Sequence, residues 1–531
     1  MNVTTPASAP VERRAATIVM ACLGVFVAYL PVTTVAVSLP ALQSALHAST
    51  AQLSWVQDAF VLPMAAFILT AGVVGDVHGR KKVFQAGLLL SAAGAVTALC
   101  AHSVEAVWAG QALAGVGAAA LLPTTLALIS HVVPDHRERG KYIGIWATCL
   151  MAALAIGPVI AGVVVAHFSW RWIYLPSVPV ALLAVAVAAR RLTDSRAPHG
   201  RRLDWPGQLT ATLAVTALVY GVIEGGAGSF ADTEVLLALF TAAAAGVAFV
   251  LVERRSDSPM LDLSLFRSPA FTATTLVAMI SFLALIGFFF VLSLYFGMVQ
   301  RLDTLQACWR LLMVTGAALL VGGPAGRLMH RIPARWMITG GLLLVAAAQF
   351  ALTGLAADTS FASAAWRLVL LGLGMGLVMT PMTATAVASV PHRQAGMAAA
   401  GNNAFRQVGG ALGPAVLGAV LTTRAIDALP GHLTDAGVTG AARDQVVSTA
   451  RADGLGAVAG LDPGPRTGQV LGALGDSFLD GMRLCLLTAG SLTLLAALVA
   501  VVLLRTPRER PPTLRAAGDT AGEKEPAVRG A

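Results

Sequence analysis

The chain has 531 residues, 56% of them hydrophobic and 12% charged, with a net charge of +9 at pH 7. A soluble domain carries about 25% charged residues, so a soluble globule is excluded. The charges crowd into short stretches and leave apolar runs of about 20 residues, the length that crosses a bilayer core. The surplus of bases reads as a mark of sidedness in a membrane protein, not as a nucleic-acid surface.

In chain order, apolar spans are predicted at 15–40, 51–73, 83–101, 106–130, 141–165, 172–189, 206–224 and 234–252, then at 270–295, 304–326, 336–356, 366–390, 396–421 and 482–504. Each is expected to be helical, because a segment in lipid must satisfy its own backbone hydrogen bonds. That makes about fourteen helices in an all-α polytopic membrane protein. Arg13 and Arg14 precede a first span long enough to cross, and no cleavable signal is expected. The polar start through Pro10 reads as disordered.

Bases occupy alternate loops: Arg80/Lys81/Lys82, Arg137/Arg139/Lys141, Arg190/Arg191/Arg196/Arg201/Arg202, Arg254/Arg255/Arg267 and Arg327/Arg331/Arg335. The loops between them, such as "HASTAQ" and "AADTSFAS", are poor in bases. This alternation predicts that the basic loops and both termini are cytoplasmic, with Arg505, Arg508 and Arg510 anchoring the last span. The polar, Gly-rich segment 422–481 is then expected to be an external loop.

Three pairs of stretches repeat about half a chain apart. "LAGVGAAALLP" (113–123) resembles "LLGLGMGLVMTP" (370–381), "VVPDHRERG" (132–140) resembles "SVPHRQAG" (389–396), and "ALAIGPVIAG" (153–162) resembles "GALGPAVLG" (410–418). Two homologous halves of six helices are a transporter architecture with its site near the midplane. The predicted organisation is a tail 1–14, a six-helix bundle 15–189, a linker 190–269 holding two extra helices, a second bundle 270–504 that includes loop 422–481, and a tail 505–531.

Within the fifth span, Ala153, Gly157 and Ala161, followed by Gly162, make a smooth face for close helix packing. Pro158 removes a backbone donor there and can bend the helix. "GVVGDVHGRKK" (72–82) reads as a turn between the second and third helices, with Gly72 and Gly79 permitting close approach. Asp58 lies in the second span, and an intramembrane carboxylate is a functional hypothesis by default. Trp55 and Leu62 share its helical face at i−3 and i+4 spacing. Its alternative is a hydrated carboxylate near the interface, and Glu224, ending the seventh span, reads as an interfacial charge. Arg310 and Arg406 lie inside spans, each able to face a cavity or pair with an acid. Asn402, Arg406, Gly409 and Gly413 form one polar, small face directed at the other bundle.

No chemistry of a soluble enzyme is legible. There is no GxxxxGK[ST] for a P-loop ATPase, and "GLGMG" (372–376) lies inside an apolar helix instead of following a strand. The five scattered cysteines and the dispersed histidines lack metal-ligand spacing. Neither a metal, a cofactor nor an enzymatic activity is expected.

These residues resemble the major facilitator superfamily, specifically its fourteen-helix drug:proton antiporter branch. "GVVGDVHGRKK" is similar to the superfamily's signature between its second and third helices at Gly72, Asp76, Gly79, Arg80 and Lys81. "AIGPVIAG" resembles the antiporter signature at Gly157, Pro158 and Gly162, and "SWRWIYLPSVP" (169–179), "SPMLDLSLF" (258–266) and "AGNNAFRQVGGALG" (400–413) resemble stretches of this branch. The resemblance implies two rocking six-helix bundles with helices seven and eight peripheral. It also implies a monomer in the bacterial cytoplasmic membrane that effluxes hydrophobic drugs or antibiotics, driven by the proton gradient. It implies that Asp76 acts in a latch between the halves.

The chain also departs from the branch. Pro31 stands where an acid is usual in the first helix, Gln111 where an Arg is usual in the fourth, Ala114 where a Gln is usual, and Val77 where an Arg commonly follows the Asp. That leaves Asp58 as the proton-coupling candidate. Trp55, Leu62, Gln111, Arg310, Asn402 and Arg406 are the cavity candidates. A gradient-independent facilitator, or a sensor that keeps the fold without turnover, stays open at this point.

Overall fold

The computed structural model describes residues 11–133, 136–195, 203–329, 331–390, 394–459 and 466–504. Both tails beyond these limits, with Arg505, Arg508 and Arg510, and Arg196, Arg201 and Arg202 of the linker lie outside the described residues. The helices are α1 (Val11–Leu46), α2 (Thr50–His78), α3 (Arg80–Leu99), α4 (Val104–Val132), α5 (His136–His167), α6 (Ser177–Arg191), α7 (Trp205–Ala227) and α8 (Thr233–Arg255). They continue as α9 (Pro269–Leu294), α10 (Thr304–Leu328), α11 (Ala334–Leu352), α12 (Phe361–Ala388), α13 (Ala395–Asp435), α14 (Ala441–Asp453), α15 (Leu455–Ala459) and α16 (Thr467–Leu503). Among the described residues fourteen spans are long and apolar enough to cross a membrane, one for each helix but α14 and α15, with α6 reaching that length together with the turn that begins at Trp170. The fold is all-α, as expected.

Polar caps set the helix starts. Ser49 accepts from the Gln52 N–H at 3.2 Å while the Gln52 side chain accepts from the Ser49 N–H at 2.9 Å. This reciprocal box satisfies two donors that open a helix. Ser103, Asp204, Asp303 and Ser360 cap α4, α7, α10 and α12 more simply, each side chain accepting from one backbone N–H.

Glycines set how the helices pack. An added Cβ on Gly94 of α3 would sit 2.5 Å from the Gly110 carbonyl of α4. In the second half, one on Gly341 of α11 would sit 2.7 Å from the Gly374 carbonyl of α12. A Cβ on Gly115 of α4 would strike the Phe60 carbonyl of α2, and one on Gly372 of α12 the Val314 carbonyl of α10. Gly157 of α5 packs on Thr33 and Thr34 of α1, as Gly413 of α13 packs on Leu283 and Gly287 of α9. So α1–α6 and α9–α13 with α16 repeat one packing scheme.

The helices overrun the predicted spans, most of all in the segment read as a loop at 422–481. The 41 residues of α13 reach roughly 60 Å at 1.5 Å per residue, about twice a bilayer core. Its last turns, α14, α15 and the first turns of α16 enclose a small core of their own, including Leu429, Leu433, Val446, Leu455 and Val470. The apolar positions inside that polar composition are spaced helically, so its described residues fold as a helical cap. Gly454 and Gly456 of the cap lie against Ser49 and Gln43, at the α1–α2 turn of the first half.

Contacts between the bundles gather from mid-height to the end remote from the basic loops. Gly162 of α5 abuts Leu305 and Cys308 of α10, and Gly297 abuts Pro40 of α1. Gly418 of α13 abuts Ser54 of α2 and Gly410 abuts Val61. Nearer the basic end, an added Cβ on Gly144, Gly322 or Gly323 would meet nothing within 4 Å. The α7–α8 pair leans on the α2–α13 seam: Gln208 bonds Thr70 and donates to the Ala66 carbonyl at 3.0 Å. Gly226 of α7 packs against Ala419.

Candidate functional site

Asp58 is fully buried on α2. Neither of its carboxylate oxygens has a hydrogen-bond partner among the described residues. The amide of Gln57 beside it is likewise buried and unpaired. A carboxyl group withdrawn from water with no donor aimed at it is costly in the ionised form. Gln111 does not reach it; its Nε2 donates to the Val56 carbonyl at 3.3 Å and ties α4 to α2. Leu62 is buried in the same core. Trp55 turns instead toward α7, where its indole donates to Glu224 Oε1 at 3.3 Å. It lines a cavity whose walls do not include Asp58.

A second buried polar group lies at mid-height between the bundles. Arg406 of α13 is 6% exposed, and its Nη2 donates to the Tyr29 hydroxyl of α1 at 2.7 Å. Asn403 one turn away is also an acceptor for it. The guanidinium stands 4.9 Å from the Phe282 ring centre and 5.7 Å from that of Tyr29. Aromatic faces attract a cation at such distances. Gln407 donates to the same Tyr29 hydroxyl at 3.0 Å and to Met64 Sδ of α2 at 3.5 Å. Arg406 Nε is buried without a partner, and no carboxylate pairs with this arginine among the described residues. Four helices, α1 and α2 from one half and α9 and α13 from the other, therefore converge on one uncompensated cation.

The other cavity candidates separate from this centre. Asn402 donates to the Thr274 carbonyl at 3.2 Å and fastens α13 to α9. Arg310 sits in the second turn of α10, bonded to Gln300. It lies 5.4 Å and 5.6 Å from the ring centres of Phe296 and Phe361. It braces the α9–α10 turn.

The stretch 72–82 proves to be helix on both sides of a single residue. Only Gly79 interrupts it, at φ +109°, a left-handed conformation that favours glycine. Asp76 pairs with Arg80 four residues on, Oδ1 to Nη2 at 2.9 Å. The strap after α6 docks on this turn: Asp194 accepts from the Lys81 N–H at 3.2 Å, and the Arg80 N–H donates to the Ser195 carbonyl at 3.0 Å. Lys81 Nζ donates to the Ala189 carbonyl at 2.8 Å. Gly72 lies against Pro123 of α4. These contacts all stay within the first half. In the fifth helix, Gly157 and Gly162 face different partners, α1 and α10, and Pro158 sits between them.

Tyr29, Gln407, Trp108, Tyr220 and Asp194 were not singled out from the sequence. Tyr29 carried a usable signal, being one of only five tyrosines and lying in mid-span two residues before Pro31. Gln407 sits beside Arg406 in a run already noted. Asp194 had none, since the contact that places it is to the Lys81 backbone over a hundred residues away.

The sequence profile of the Major Facilitator Superfamily matches residues 21–414. The chain belongs to this superfamily. It is 32% identical over 513 residues to the tetracenomycin C resistance and export protein of Streptomyces glaucescens, covering 96% of this chain and 95% of that one. It is 31% identical over 518 residues to the multidrug resistance protein Stp of Mycobacterium tuberculosis, covering 96% and 94%. Among solved structures, a bacterial homologue of the human lysosomal transporter Spinster, inward-facing and unoccupied, matches with a TM-score of 0.63. That match has 15% identity and covers 94% of this chain and all of that one. The resemblance to the drug:proton antiporter branch agrees with these relatives. A superfamily member with fourteen spanning helices and such bacterial relatives is a multi-pass inner-membrane transporter.

Proposed function

We propose that this protein exports hydrophobic drugs or antibiotics by alternating access, in exchange for protons. The observation that carries this reading is the similarity, over 96% of the chain, to an antibiotic resistance and export protein. The geometry supports it. Packing of the bundles against each other toward the end remote from the basic loops, as where Gly162 meets Cys308 and Gly418 meets Ser54, suits a carrier that loads from the basic side. The basic loops and both termini are cytoplasmic in this reading. The protein works as a monomer on a substrate drawn from the cytoplasm or inner leaflet, and serves self-resistance if its host makes the antibiotic.

In the proposed cycle Asp58 carries the proton. It is neutral while buried, and opening of the α2–α13 seam admits water that lets it ionise. Arg406, held by Tyr29 and the Phe282 face, senses substrate at the junction of the halves. Because Tyr29 belongs to one bundle and Arg406 to the other, rocking must break their bond. A substrate acceptor group that replaces the Tyr29 hydroxyl favours that opening, which is the differential interaction a ligand needs to shift a conformational equilibrium.

The test is drug uptake into inverted vesicles under an imposed pH gradient. Asp58→Asn is expected to abolish gradient-driven transport while the protein folds and inserts normally. Full transport by that variant would sink the assignment. Pro31 and Gln111 favour a second reading, a gradient-independent facilitator. It predicts transport that survives a protonophore, whereas proton exchange predicts collapse.

A further inference from the structure

A cavity of about 880 Å³ lies at the end remote from the basic loops, between α2, α4 and α7 of the membrane domain and the cap formed by α14 and α15. Pockets that hold drug-sized molecules span about 300–1,000 Å³. Three aromatic rings build one wall. Trp55 lies 6.4 Å from Trp108 and 6.2 Å from Tyr220, centre to centre, both tilted by about 50°. The two indole N–H groups are already engaged, Trp55 with Glu224 Oε1 and Trp108 with the Gln52 carbonyl at 3.3 Å. That leaves the rings to present apolar surface and π faces. Glu224 stands one helical turn beyond Tyr220, and its second oxygen has no protein partner among the described residues.

Aromatic faces around a carboxylate are complementary to a positive charge carried on an apolar body. Two other charged or titratable groups line the cavity, His47 and Arg451. Arg451 belongs to the cap and also borders a second cavity of about 480 Å³ with Asp444. It therefore borders both cavities, on the cap side. We propose that this vestibule binds an organic cation of drug size, with its charge against the free oxygen of Glu224 and its apolar groups among Trp55, Trp108 and Tyr220. Because α7 supplies Tyr220 and Glu224, the extra helix pair contributes to a ligand site as well as to the fold. The site is separate from the Asp58 and Arg406 centres.

Equilibrium binding of radiolabelled tetraphenylphosphonium to the full-length protein in nanodiscs tests this. Tetraphenylborate, of the same shape and opposite charge, is the comparison. The cation is expected to bind saturably and the borate not to compete. Glu224→Gln keeps the acceptor for the Trp55 indole and removes the charge. It should weaken cation binding roughly tenfold or more, as should Trp55→Ala. Arg451→Glu should tighten it. Unchanged binding by a Glu224→Gln protein that melts at the wild-type temperature overturns the proposal, and so does equal competition by the borate. If Glu224→Gln fails to fold, Arg451→Glu decides, and absence of tighter binding overturns it. Vesicle transport by Asp58→Asn reads the export mechanism, so failure of that reading and of this one are distinguishable.

Discussion

The two halves of this transporter share a scaffold and differ in chemistry. Gly115 meets the Phe60 carbonyl as Gly372 meets that of Val314, so α2 corresponds to α10 and α4 to α12. Two residues before Phe60 stands Asp58; two before Val314 stands Leu312. Seven residues before Gly413 stands Arg406; seven before Gly157 stands Leu150. The acid thus belongs only to the first half and the base only to the second. Close backbone approach leaves no room for a side chain, so the glycines persist across the repeat. A position that faces the junction tolerates any side chain of suitable size, and there the halves diverged.

Substitutions at matched positions would sharpen or break this contrast. The largest effect is expected at the acid: Asp58→Asn loses essentially all gradient-driven transport in vesicles, while Leu312→Met at the matched position transports normally. Next comes the base. Arg406→Gln should lower drug transport roughly tenfold or more, since bonds to a buried charge contribute about 1.5–3 kcal/mol each, and Leu150→Met should not. The scaffold glycines should behave alike. Gly115→Ala and Gly372→Ala should each cost about 1–3 kcal/mol from overpacking, read as matching falls in melting temperature in detergent. A much larger effect in one half would show that the packing is less symmetric than the contacts imply.

The smallest change in stability is expected at the α2–α3 turn. The Asp76–Arg80 pair is one-fifth to one-quarter exposed, and such pairs contribute about 1 kcal/mol or less. Asp76→Ala should therefore leave insertion and melting nearly unchanged while impairing transport. Unchanged transport would refute a latch. Asp262 offers a comparison from the linker just before the second half, outside the spans. The hydroxyl and N–H of Ser264, with help from Gln394, hold its carboxyl below the usual range. A lowered value adds stability that is present at neutral pH and lost as pH falls through it. Asp262→Asn should flatten that part of the acid limb of the melting curve.

Much of the architecture was legible beforehand because membrane insertion reads one-dimensional properties. Span number follows from apolar run length, and the halves follow from their repeated Gly-Pro and loop signatures. The candidate site was legible in part. Asp58 and Arg406 stood out as charges inside spans, and both are buried. Trp55 and Asp58 were expected together by helical spacing, and three residues do leave two side chains only about 60° apart on a helix, yet the Trp55 indole reaches α7 while Asp58 is buried away from that cavity. Gln111, Asn402 and Arg310 looked like cavity residues and instead bond backbone carbonyls or brace a turn. A polar side chain in a span can satisfy itself on the nearest helix, and the sequence does not state which helix that is.

The residues alone determined the class, the fourteen crossings, the repeat and the family, because hydropathy and short motifs need no knowledge of distant partners. The folded chain alone decided that Arg406 meets Tyr29 across 377 positions and that the strap after α6 grips the α2–α3 turn. It alone decided that the described part of segment 422–481 folds into a cap against the α1–α2 turn and that Glu224 joins three rings around a cavity. Each of these depends on how helices are rotated and which ones adjoin. Those choices come from the packing of all the helices together and appear in no single stretch of sequence.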